Sequence, residues 1–158
     1  MKYFFSFIVV CLLTVLFVPS TFADTVLEKE TVDFVFSLSQ DQWKQQGPTF
    51  HACTDCDVRL VETKTGTGLM VHDQVANKLV SILPNYADPK HNPIFMVIGI
   101  FFPVGWEDDY RSDNFLPARE MQAQQDISSE YTVAATAARG PSGYEGVLYT
   151  ITKSHNEK

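Results

Sequence analysis

Ile94-Phe95-Met96-Val97-Ile98-Gly99-Ile100-Phe101-Phe102 is a continuous apolar run rich in β-branched and aromatic side chains. A membrane span needs about 20 apolar residues, and this run is shorter and is followed at once by Pro103. The composition predicts a central strand, buried on both faces of a sheet. Downstream, Gly105–Pro117 is irregular, acidic and aromatic, and Ala118–Gln125 has the character of a short exposed helix. Glu130–Ala138 and Glu145–Thr152 read as strands on either side of Arg139-Gly140-Pro141-Ser142-Gly143, a turn sequence, and so as a C-terminal hairpin.

Upstream of the central run, Pro84, Pro89 and Pro93 make Asn85–Pro93 a loop. Val75, Leu79, Ile82 and Leu83 fall at the spacing of one helical face, with Asp73 as N-cap and Pro84 as stop, which predicts a helix. Val58–Thr63 and Leu69–Val71 flank the turn residues Lys64-Thr65-Gly66-Thr67-Gly68, a plausible hairpin. Thr31–Phe36, with its β-branched and aromatic residues, reads as a strand. Ser37–Gln45 suits a short helix capped by Ser37 or Ser39 and closed by Gly47-Pro48. The expected class is α+β: one small domain with a largely antiparallel sheet and about two helices.

The first residues have the layout of a secretory signal. Lys2 precedes an apolar run from Tyr3 to Val18, and Pro19 follows as a helix breaker. Thr21 and Ala23 occupy the positions a signal peptidase reads, which places cleavage before Asp24 and leaves residues 24–158 as the mature domain. An uncleaved anchor is the competing reading. Cys11 lies in mid-run behind Val9 and Val10, where a lipoprotein signal carries small residues. The expected location is the periplasm or beyond, with no integral membrane domain after cleavage.

The full chain carries 12 basic and 19 acidic residues, a net charge of −7. Loss of Lys2 with the leader leaves 11 against 19, or −8. Such a surface repels nucleic-acid backbones and favours basic partners.

The sharpest local feature is His51-Ala52-Cys53-Thr54-Asp55-Cys56-Asp57. In an oxidising compartment Cys53 and Cys56 are expected to form a local disulfide. A redox centre would need a helix after the pair and positive neighbours, whereas a strand and Asp55 and Asp57 are found. A zinc or copper site would draw on His51, Cys53 and Cys56, with His72 or His91 as further donors, but no second pair completes it. Trp106, Glu107, Asp108, Asp109, Tyr110 and Asp113 combine aromatic anchors with carboxylates and form the expected partner-binding loop. No nucleophile with a base, no phosphate loop and no cofactor motif is present in the sequence. These features point to a non-catalytic periplasmic binding protein. It would act as an inhibitor or immunity-type protein against a basic envelope enzyme, or as an accessory of an envelope assembly. The alternative is a thiol-redox or metal-binding protein built on Cys53 and Cys56.

Overall fold

In the computed structural model, which describes residues 26–50, 52–86, 93, 95–103 and 113–154, the central apolar run forms strand β4, Phe95–Phe102. The signal segment and residues 104–112 lie outside the described residues. Helices α1 (Lys29–Ser37) and α2 (Gln40–Phe50) come first, followed by strands β1 (Cys56–Thr63), β2 (Gly66–Asp73) and β3 (Lys78–Pro84). After β4 come helix α3 (Phe115–Ile127) and strands β5 (Tyr131–Arg139) and β6 (Glu145–Lys153). All six strands form one sheet in the order β1-β2-β3-β4-β6-β5, each pair antiparallel. The domain is α+β, as its sequence pattern implies.

Two segments fold differently from their local patterns. Thr31–Phe36 is helical, because Val32, Val35 and Phe36 fall at i, i+3 and i+4 and are all buried. The expected helix over 73–83 is instead a turn and strand β3. Val80 and Ile82 face the core while Leu79, Ser81 and Leu83 face away, and Val75 is 78% exposed in the turn. Asp73 still caps, since its Oδ1 accepts the Val75 and Ala76 amides at 3.1 and 3.0 Å, but what it closes is the β2–β3 turn.

Helix α2 begins at a reciprocal cap. The Ser39 Oγ accepts the Gln42 amide and the Gln42 side chain accepts the Ser39 amide. It runs through Gly47-Pro48 instead of stopping there, and Gly47 packs against the Trp43 indole, leaving no room for a Cβ. Trp43 is wholly buried and donates from Nε1 to the Thr67 carbonyl at 2.8 Å, which fixes α2 to β2. Helix α3 is longer than expected and not wholly exposed, burying Phe115, Ala123 and Ile127, with Pro117 tolerated in its first turn.

All three helices cover the same face of the sheet. Across the strands, Leu69, Ile82, Ile98 and Tyr149 lie side by side, and they share one core with Val32, Val35, Trp43, Phe115 and Ile127. β4 is central, but its two faces are unequal. Met96 and Ile98 are fully buried under the helices, whereas Phe95 and Val97 on the other face are half-buried. On that outer face the Phe101 ring folds back over Gly99, and it is covered by the Gly140 corner of the β5–β6 connection. Across the ladder, Gly146 lies so close to β4 that a methyl group there would overlap the Ile100 carbonyl.

A polar cluster ties α1 to the far edge. Tyr131 donates its hydroxyl to Asp33, and Lys29 bridges Asp33 and Glu130. Burial first, and then the bond to Asp33, raises the Tyr131 phenol above its ordinary range; burial alone does the same to Tyr86. The hydrogen bonds from Lys29 and Tyr131 hold the Asp33 carboxyl below the usual carboxylate range.

Two outcomes are expected. Gly146→Ala forces β4 and β6 apart and lowers unfolding free energy by about 2 kcal/mol or more in denaturant titrations. A tyrosine whose folded pKa is raised contributes its stability in full below the unfolded value of about 10 and loses it as pH climbs through the folded value. Thermal midpoints should therefore fall above about pH 10, and Tyr131→Phe should shrink that fall while lowering the midpoint at neutral pH.

Candidate functional site

The corner where α2 hands over to the sheet is built by a tight turn. Thr54 and Asp55 reverse the chain, Asp55 at a positive φ of 60°, and the Cys56 amide donates to the Cys53 carbonyl at 3.2 Å. A disulfide joins Cys53 and Cys56, whose Cα atoms lie 5.2 Å apart, inside the range that a bridge requires. Cys56 pairs across the ladder with Asp73, so both side chains lie on one face. The two sulfurs and a carboxylate oxygen of the buried Asp73 fall within 4.8 Å of one another. Sequence reasoning missed Asp73 as a neighbour of the cysteines, although the hairpin register supplies it. Of the expected histidine donors, His72 points to the opposite face by strand alternation, and His51 and His91 lie outside the described residues. Asp57 likewise turns away from the sulfurs and pairs with Arg59.

On the outer face an open groove of about 400 Å³ is lined by Asp57, Arg59, Met70, His72, Leu79 and Tyr144. The Tyr144 hydroxyl donates to Asn77, holding the β5–β6 corner over the β2–β3 turn. A second cavity of about 190 Å³ sits between α3 and the sheet, with Tyr149, Val147 and Asp126 in its wall. Arg119 lies 5.1 Å over the Phe115 ring and Lys78 lies 5.3 Å over that of Phe102 at this cavity. Of the expected partner loop, Asp113 is exposed just before α3, and Trp106, Glu107, Asp108, Asp109 and Tyr110 lie outside the described residues.

The two edges of the sheet are finished differently. On β5 the outward-pointing backbone of the first half, Tyr131 to Ala135, is occupied by α3. Gln124 accepts the Val133 amide at 3.0 Å and donates to the Tyr131 carbonyl at 2.8 Å, and Glu120 accepts the Ala135 amide at 2.8 Å. On β1 the closing pair Thr63 and Gly66 sets the parity, so Asp57, Arg59, Val61 and Thr63 bond to β2. The amides and carbonyls of Val58, Leu60 and Glu62 therefore point outward, and no hydrogen bond from the described residues meets them. Leu60 and Val61 are 44% and 40% exposed on this strand.

The disulfide closes a very short loop, so the chain-entropy model gives it about 2 kcal/mol. Cys53→Ser/Cys56→Ser should lose about that much in denaturant unfolding and keep the native far-ultraviolet dichroism. Set beside this geometry, the chain matches no protein family, no curated protein and no solved structure.

Proposed function

We propose that the protein is a non-catalytic binding protein, exported from the cytoplasm, that captures a basic protein of the cell envelope. As an inhibitor it would cover such an enzyme, and as an accessory it would hold an assembly component. The carrying observation is the one-sided layering of the fold. Three helices take one face of the sheet, and the other presents the Met70–Tyr144 groove with half-buried Leu83, Val97 and Leu148 beside it. Apolar surface rimmed by polar groups is characteristic of interaction sites. The net charge of −7 supports a basic partner by steering its approach, an effect that salt screens. The acidic-aromatic segment Trp106 to Asp113 belongs to the same reading, with Trp106 and Tyr110 as anchors and its carboxylates as steering groups.

A second reading rests on the corner of Cys53, Cys56 and Asp73, whose three donor atoms could take a thiophilic cation once the disulfide is reduced. Thiol counting and metal analysis of the purified protein separate it from the first.

The test is capture of a partner from envelope extract, followed by direct binding of that purified partner to wild type and to Met70→Asp. Met70→Asp should weaken binding at least tenfold at an unchanged melting temperature, the association rate should fall with added salt, and the double serine variant of the cysteines should still bind. A folded Met70→Asp protein that binds like wild type removes the outer face from this reading, and loss of binding in the double serine variant favours the second.

A further inference from the structure

Among the described residues, one edge of this sheet is covered over its first half by the protein's own side chains and the other is uncovered along its length, and an open edge is a template for strand addition. We propose that β1 is a docking edge that takes an extended, lysine- or arginine-bearing segment of another protein as a seventh strand. The inference rests on the binding reading above and adds its mode: main-chain pairing at Val58, Leu60 and Glu62.

The contrast between the edges carries the inference. Gln124 and Glu120 occupy the amides of Val133 and Ala135 and the carbonyl of Tyr131, so nothing can pair with that half of β5 without displacing α3. Among the described residues no equivalent cover meets β1, where the outward groups recur at every second residue over the strand. The strand also lacks the usual deterrents to pairing. It holds no proline, its single lysine or arginine is Arg59, and Asp57 accepts from that guanidinium.

Side chains choose the occupant. On the helix-covered face an added strand would meet Val58 and Leu60, which favour apolar residues two apart, and then Glu62, whose exposed carboxylate already accepts from Thr67 and lies 3.7 Å from Lys44, so that an incoming cation would share it. Asp55 and Asp57 flank the near end. A second copy of the chain would bring its own charge of −7 to this edge and meet acid with acid, whereas a basic segment is attracted. The groove on the outer face adjoins the same strand through Asp57 and Arg59, so a segment seated on β1 lies next to it.

The probe is an N-acetylated, C-amidated peptide of alternating lysine and valine, as long as β1, added to the full protein in low salt. Binding is read by anisotropy and by amide hydrogen exchange. The expected result is saturable binding that slows exchange at Val58, Leu60 and Glu62 and leaves Arg59 and Val61, already bonded to β2, unchanged. Leu60→Pro replaces an amide that faces outward, so its melting temperature should stay close to wild type, as edge prolines permit, while peptide affinity falls at least tenfold. The same peptide N-methylated at alternate residues serves as a second probe and should not bind; it needs no variant to fold. Absence of peptide binding, uniform or absent protection along β1, or full affinity of folded Leu60→Pro would each overturn the edge proposal. Peptide-induced changes confined to His72 and Tyr144 would overturn it while leaving the outer face as a binding surface. Protection of the same three amides by a sedimenting dimer, without peptide, would overturn the choice of occupant.

Discussion

The pairing of β4 with β3 on one side and β6 on the other holds the domain together. β1 to β4 form a simple meander, and α3, β5 and β6 form a separate C-terminal unit. β4 alone bonds to both. Its join to β6 depends on Gly146, because only a residue without a side chain lets the two backbones approach at Ile100. The core follows from that join. Ile98 brings Ile82 and Tyr149 into line, and the helices from both ends of the chain then share one apolar layer.

Five of the six strands are legible because they are written in unambiguous signals, a continuous apolar run for β4, turn residues between β1 and β2, and a glycine-proline turn before β6, whereas β3 is not. The errors arose where two periods coexist in a few residues. Thr31–Phe36 has strand-like composition, yet its buried residues recur at helical spacing, and packing against the core overrode intrinsic preference. In 73–83, Val75 mimicked a helical face, although the residue is exposed and the real pattern is alternation from Lys78 onward. Asp73 reads as a cap, but a cap residue does not disclose whether a helix or a turn follows it.

The candidate surfaces were less legible for a different reason. The Cys53–Cys56 pair is local and could be read directly, while its neighbour Asp73 depends on strand register. Which strands lie at the edges depends on the order of the whole sheet, so nothing in Val58-Arg59-Leu60-Val61 taken alone separates an edge from an interior strand. Likewise Gln124 and Glu120 look like ordinary polar residues of an exposed helix, and only the fold reveals that they satisfy the backbone of β5.

That sealing by α3 reaches beyond a single molecule. Proteins with two open sheet edges can stack head to tail, each copy templating the next, and such growth has no natural end. Here another copy's β1 meets a β5 whose Tyr131–Ala135 half is already taken, because Gln124 and Glu120 hold the bonds it would need there. Strand addition at β1 would thereby find a shortened counterpart on a second copy. A receiving edge cut to half its length disfavours head-to-tail growth between copies.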